Sequence, residues 1–582
     1  MRRKYWILVI IILLAAFLRL WDLKNIPPGL WSDEAMNGVN TIQANEGGGW
    51  KVFYPENFGR EGLFINIQAL FVKALGHEPW VLRLPSAIFG ILTVLGLYLM
   101  TKELFFGRVA VFSAFFMATS FWHINFSRIG FRAIMAPFFL VWGFYFLFLA
   151  MRKALIEMPK AQVLQDLAQR DGASRAILQQ ENMRVLAKSG AEAIWARPDV
   201  LIVIAGFIFG LGVHSYIAYR VAPLIVLYPL WIFYKNYRAG KLKESACAPC
   251  LIALFIFMAL VAASPLLIYF AQNPADFFGR TSSISIFSSP NPLAQFSENT
   301  VKTLQMFNFF GDFNWRHNFR GASQLWWPVG ILFLLGIISS LRPYFSRLTL
   351  SSGAPTRIQN PVGARFILFW FFIMMLPVAM SSEGLPHALR SIVLLPPAMI
   401  FASLGLEAVI GKTKHRLEQW KERFPAKLFQ INRIEQELKI LLAIFLLSVT
   451  VNAFNQYFMR WVGEANVYDS FLGNETKIAH WLNDAPKNVK KYVVTDSIDT
   501  IDLTGRPLSF MPVIFITNTY FDSKQKEKNI YYLGKNEFDK IDCPTHCAII
   551  PVESGPTIYT IIRQKVPGLI MSASNGFVVL TK

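Results

Sequence analysis

Tyr5-Trp6-Ile7-Leu8-Val9-Ile10-Ile11-Ile12-Leu13-Leu14-Ala15-Ala16-Phe17-Leu18-Arg19-Leu20-Trp21 is apolar but for one arginine, and Pro27-Pro28-Gly29-Leu30-Trp31-Ser32-Asp33-Glu34-Ala35 follows closely behind it. The first stretch has the length and composition of a membrane-crossing helix. Met1 to Lys4 ahead of it is basic, as in a signal peptide, but Arg19, Trp21 and Asp22 stand where small residues would mark a cleavage site. It therefore reads as an uncleaved first span with its N-terminus inside. The second stretch then lies just outside the membrane and carries two adjacent carboxylates.

The rest of the chain agrees with this start. Soluble domains keep about a quarter of their residues charged, whereas this chain keeps 16% and is 54% hydrophobic. Further apolar runs fall near 82–101, 109–124, 131–151, 200–214, 220–234, 249–270, 325–341, 366–381, 389–410 and 439–455. The expected architecture is an α-helical polytopic membrane protein of about eleven spans. Placed alternately, the inside loops hold more than twice the Lys and Arg of the outside loops, the bias that cytoplasmic loops show. That bias accounts for the net charge of +20 without a nucleic-acid partner. An odd number of spans puts the tail outside, in a multi-pass protein of a cell (plasma) membrane with a cytoplasmic N-terminus.

Residues 1–455 are expected to form the transmembrane domain, with 22–81 and 271–324 as long external loops and 152–198 as a cytoplasmic insert. From 456 to 582 the composition is soluble. Tyr492 to Asp496, Ile530 to Leu533, Ala548 to Pro551 and Gly576 to Leu580 are short β-rich runs bounded by turn residues, and Glu475 to Leu482 is helical in pattern. A small extracytoplasmic α/β domain is expected there. Cys543 and Cys547 in this tail read equally well as one local disulfide or as two thiols; Cys247 and Cys250 read as packing residues.

The chemistry is expected in the first external loop. A carboxylate near hydrocarbon tends to have a raised pKa and can then accept a proton, which makes Asp33, Glu34 and Glu61 candidate catalytic residues. Each also fits a structural role: Ser32 as an N-cap with Asp33 and Glu34 in the first turn, and Glu61 at the start of the amphipathic segment Leu63 to Leu75. No zinc-type spacing is present. No cofactor is required, and a divalent ion between Asp33 and Glu61 is left open but not predicted.

Taken in order, these features resemble the GT-C membrane glycosyltransferases. The first span, the Asp33-Glu34 pair in a long external loop and the later Arg60-Glu61 before an aromatic amphipathic helix are similar to the branch holding the protein O-mannosyltransferases and the lipid A aminoarabinose transferases. Gly107-Arg108-Val109-Ala110, Ser127-Arg128-Ile129-Gly130-Phe131-Arg132 with Pro137, His214-Ser215-Tyr216-Ile217-Ala218-Tyr219-Arg220-Val221-Ala222-Pro223 and Pro386-His387-Ala388-Leu389-Arg390 extend the likeness over roughly residues 1–410. Two departures matter. The Trp-Trp-Asp string of oligosaccharyltransferases is missing, Trp326-Trp327-Pro328 lacking the acid, and no segment suits the β-trefoil insertion of eukaryotic mannosyltransferases.

The resemblance implies inverting transfer of a sugar from a polyprenyl-phosphate donor to a hydroxyl of a lipid, glycan or protein acceptor. Asp33 is expected as the base, with Glu34 or Glu61 orienting substrate. Arg128, Arg132, Arg220 and Arg390, at the outer ends of spans, are expected to meet the donor phosphate, or else to reach the interface as snorkelling side chains. Tyr216, Tyr219, His214, His387 and Trp31 are candidate substrate contacts, and Phe307 to Arg320 of the second external loop is a candidate lid. The competing classes are a membrane transporter or lipid flippase, which would carry its charges near the bilayer midplane, and an O-antigen polymerase or ligase using diphosphate donors, with its main loop late in the chain.

Overall fold

A computed structural model describes residues 2–582 apart from 106, 156–196, 284, 346–360, 383, 497–500, 503–504, 544, 553–554 and 575. The cytoplasmic insert expected at 152–198 falls almost wholly outside the described residues. Seven helices among them are long and apolar enough to cross a membrane: Pro79–Leu104, Arg132–Ala154, Ile217–Arg238, Ala248–Gln272, Pro361–Ala379, Ile392–Arg423 and Pro425–Trp461. Four shorter apolar segments, Trp6–Leu20, Gly107–Ala118, Pro198–His214 and Trp327–Leu341, account for the other expected runs. The protein is a multi-pass, mostly helical membrane protein.

Its core is aromatic. Phe144 and Phe148 each meet Phe366 edge to face at 4.9 Å, Trp370 tilts against Phe144 at 5.2 Å, and Phe307, Phe333 and Phe371 make a second group. Where lipid surrounds the helices, burying apolar area from water cannot drive their association. Close packing of large rings, together with the buried hydrogen bonds of Trp122 to Ala388 O and Trp370 to Val393 O, supplies the specificity instead.

The loop after the first helix, α1 (Arg2–Leu20), is folded rather than open. It holds α2 (Ser32–Glu46), a two-stranded hairpin of β1 (Phe53–Tyr54) and β2 (Arg60–Glu61), and α3 (Gly62–Leu75), before α4 (Pro79–Leu104). Trp31, not Ser32, occupies the cap position of α2, and no side chain caps it. The second long stretch, 271–324, likewise carries helices of its own. It forms helices Pro274–Ser283 and Pro292–Asn308, the latter started by Pro292 and by Asn291, whose Oδ1 accepts from the Ala294 N–H at 3.2 Å.

At the C-terminal end a five-stranded sheet runs β4-β3-β5-β7-β6. β3 (Lys490–Val494), β4 (Ile530–Leu533) and β5 (Cys547–Pro551) are parallel; β7 (Phe577–Thr581) is antiparallel to β5 and to β6 (Ile570–Ser574). Four of the strands follow the β-rich runs. β6 is missing from the sequence reading, because its Ile-Met-Ser-Ala-Ser carries little β-branched character and it is held by pairing with β7 alone. Cys543 and Cys547 are joined in a disulfide, and so are Cys247 and Cys250, which corrects their reading as packing residues.

The sheet domain and the first loop share one core. Leu30, Ala35, Met36 and Val39 pack with Phe510, Val513, Ile514 and Phe515 of the tail. At Gly38 the approach is closest: a Cβ there would meet the Phe515 ring at 2.5–2.8 Å. Gly38→Val is therefore expected to destabilise the protein by about 1–3 kcal/mol and to lower its thermal midpoint in detergent. A midpoint equal to wild type would show that this interface yields freely.

Candidate active site

The hairpin between α2 and α3 points Asn57 and Arg60 at α2. Asn57, Phe58 and Gly59 all take positive φ (50°, 64° and 81°), which turns the chain tightly between β1 and β2. Glycine suits the last of these, since a Cβ would also strike the Phe53 ring at 2.5 Å. The turn brings the Asn57 amide to Asp33, donating from Nδ2 to Oδ1 at 2.7 Å. It also buries Arg60 and Glu61 beside the same place.

A cavity of about 430 Å³ opens there, lined by Asp33, Arg60, Glu61, Arg132, Tyr216, Arg220, His387 and Arg390, together with apolar surface from Phe58, Phe131, Ile217 and Met380. Its charges are interlocked. Glu61 accepts from Arg132 Nε at 2.7 Å and lies 3.7 Å from Arg220, whose guanidinium also donates to Phe277 O at 3.0 Å and stacks on the Phe277 ring at 4.4 Å. Arg132 sits over Tyr216 at 5.8 Å. Arg60 donates to Asn37 and Asn40 at 2.5 Å each. Burial and then Arg132 push the Arg60 guanidinium down, while Asp33 and Glu56 push it up; it remains a cation at neutral pH. Arg390 donates to the Ser381 hydroxyl.

A second cavity, of about 460 Å³, adjoins the first. Trp31, Asp312, Asn314, Arg316 and His317 line it, and it shares Asp33, His387, Leu389 and Arg390 with its neighbour. Arg316 lies 3.8 Å over the Trp31 ring. Burial pushes its guanidinium down, while Asp33 and Asp312 push it up. Asp312 accepts from His317 Nδ1 at 3.0 Å and from the Ala388 N–H at 2.8 Å. Burial alone would raise its carboxyl. The hydrogen bond from His317, with the charges of His317 and His387, holds it below its ordinary value instead.

Residues 63–158 match the family model described as dolichyl-phosphate-mannose-protein mannosyltransferase. Among solved structures, ArnT from Cupriavidus metallidurans in the apo state aligns with 100% of this chain and 98% of its own, at 12% identity and a TM-score of 0.51. The same protein bound to undecaprenyl phosphate aligns with 99% and 97%, at 13% identity and 0.50. Comparison with curated protein sequences gives no match. The chain has the GT-C fold.

Within this GT-C fold, the residues singled out in the sequence fall into two groups. Asp33, Glu61, Arg132, Arg220, Arg390, Tyr216 and His387 line the first cavity, and Trp31 lines the second. The others lie elsewhere. Glu34 is wholly buried against Arg83, both Nε–Oε1 and Nη2–Oε2 distances being 3.0 Å, and accepts from the Gly130 N–H at 2.6 Å. Arg128 is wholly buried, donates to Leu18 O and Ile26 O, and lies over the rings of Tyr457 and Phe458. Tyr219 donates to Phe209 O at 3.0 Å, and His214 Nε2 lies 3.0 Å from Ala262 O. Glu34, Arg128, Tyr219 and His214 therefore bond to backbone, Glu34 also to Arg83, and line neither of these two cavities. For Arg128 this replaces the expected place at a lipid phosphate: two carbonyls and two rings satisfy a cation that water would otherwise have to solvate.

Several cavity residues carried no assignment from sequence. Arg60 and Asn57 sit beside Glu61 in the hairpin string, and a signal was there in Arg60's neighbourhood to a candidate acid. Arg316 and the Asp312–His317 pair lie in the loop read as a lid, with nothing in their spacing to show that they meet His387.

Proposed function

We propose that the protein is a membrane glycosyltransferase that takes a sugar from a polyprenyl-phosphate donor and passes it to a hydroxyl acceptor on the outer face of the membrane. The observation that carries this reading is Asp33 standing in the wall between two cavities. One is rich in arginine and apolar surface, as a lipid-borne phosphate requires; the other has the aromatic and polar lining that suits an acceptor. The family-model match over 63–158 and the undecaprenyl phosphate bound to the ArnT relative support the donor class.

In this mechanism Asp33 takes the acceptor hydroxyl proton as that oxygen attacks the anomeric carbon. The bond from the anomeric carbon to the phosphate oxygen breaks on the opposite face, with inversion. The polyprenyl phosphate departs with an added negative charge, which Arg132, Arg220 and Arg390 meet through charge-assisted hydrogen bonds. Glu61 holds Arg132 and Arg220 in place and offsets part of their positive charge. Arg60 adds a fixed positive field beside Asp33. The apolar wall of Phe58, Ile217 and Met380 would receive the first isoprene units. In the same proposal residues 1–455 form the catalytic membrane domain, and 456–582 an extracytoplasmic domain that backs α2.

The test is release of polyprenyl phosphate by purified protein from a panel of polyprenyl-phosphate-sugars, with mixed cell-envelope acceptors present. Release from one member names the sugar. No release from any member overturns the proposed donor class. Arg390→Ala is expected to raise the donor KM about ten- to a hundredfold, the worth of one hydrogen bond to a charged group. A donor KM and kcat equal to wild type would remove Arg390 from the donor site.

A further inference from the structure

We propose that Asp312, His317 and His387 form a binding site for a divalent transition metal of the zinc class. The three residues come from two separate loops, yet each offers a ligand atom within 4.8 Å of the others. Asp312 and His317 are each 4% exposed. The two imidazole rings lie 5.0 Å apart, and Asp312 Oδ2 is 3.0 Å from His317 Nδ1 and 3.9 Å from His387 Nδ1.

Two further features distinguish this cluster from a chance meeting of polar side chains. The first is spacing: Asp312 Oδ2 stands 3.0 Å and 3.9 Å from the Nδ1 atoms of His317 and His387, the separations expected of ligands that share one ion with bonds of about 2 Å. The second is rigidity. Asp312 is gripped from four sides, its Oδ1 accepting from the Asn314 N–H at 2.8 Å, its Oδ2 from Ala388 N–H and His317, and its carbonyl from Asn318 Nδ2 at 3.0 Å. Ligands held by backbone donors are the usual framework of a metal site.

The donor set decides the class of ion. Two imidazoles and one carboxylate suit zinc and its neighbours, whereas magnesium and calcium prefer oxygen alone. Three protein ligands also leave a coordination position for water or substrate. The cluster lines the cavity that contains Trp31, Asp33 and Arg316, so that position would face the acceptor. Its use there, holding an acceptor oxygen near Asp33, rests on the transferase reading; the binding of metal does not.

The full-length protein, loaded with zinc and dialysed against metal-free buffer, should retain about one zinc per chain by elemental analysis. His317→Gln and His387→Gln should each lower that content about tenfold or more. Because His317 is buried, His387→Gln decides the matter if the first variant fails to fold. Wild type without stoichiometric zinc, or a folded His387→Gln protein with wild-type content, overturns the site. Donor release by metal-free wild type at the loaded rate would remove the metal from the reaction while leaving the site. Bound zinc with no release from any donor would instead count against the transferase reading alone.

Discussion

Asp33→Asn is expected to lower polyprenyl-phosphate release by roughly 10²–10⁴-fold, the usual worth of a general base, with no loss of folded protein. The substitution keeps the size and planarity of the side chain. An amide oxygen can still accept the Asn57 N–H that Asp33 Oδ1 accepts at 2.7 Å, and the half-buried position faces cavity rather than core. What is lost is the lone pair that would take a proton. The check is single-turnover donor release by wild type and variant side by side, with thermal unfolding as the control. Wild-type turnover in the folded variant would remove Asp33 from the base role, and Glu61 would be the remaining carboxylate of that loop in the cavity.

Glu34→Gln, one residue along, should give the opposite phenotype. Glu34 and Arg83 are fully buried and paired through both carboxylate oxygens. Arg83 also donates to Pro27 O and Gly29 O at 2.7 Å each, so one guanidinium fastens the whole approach to α2. Neutralising Glu34 leaves that cation buried and unpaired, a loss of about 3–5 kcal/mol. The thermal midpoint in detergent should fall markedly, and activity should follow the amount of folded protein. A variant that is fully folded and inactive would return Glu34 to the chemistry. One that is fully folded and fully active would show that the ion pair is dispensable.

These adjacent residues also show where a sequence stops being informative. Both carboxylates were legible as unusual: two acids just past an apolar run, in a loop that needs neither for solubility. The structural alternative, an acidic first helical turn, was legible too. The structure separates the two: Asp33 lines both cavities, and Glu34 is buried against Arg83. Successive positions on a helix point roughly 100° apart, so Asp33 and Glu34 cannot share surroundings. Which of them faces the cavity depends on where Arg83 and Gly130 stand, about 50 and 96 residues away along the chain.

The arginines repeat the lesson. Arg128 and Arg132 are four residues apart where one apolar run gives way to the next, and position alone made them equivalent. The turn between them sends Arg132 to Glu61 and Arg128 into the carbonyls and rings behind α1. Tyr216 and Tyr219 divide in the same way, one lining the cavity and the other donating to Phe209 O.

By itself, then, the sequence determined a polytopic helical membrane protein, the runs that form its helices, four strands of its terminal sheet and the first loop as the place of two acids, Asp33 and Glu61, that line one cavity. Hydrophobic length, charge bias and turn residues act over short stretches, so they can be read locally. Tertiary structure alone decided which carboxylate and which arginines line the cavities, how α2 is backed by the terminal domain, and that Asp312 and His317 meet His387. Those outcomes depend on contacts between distant segments, and no local pattern records the partner that a buried charge will find.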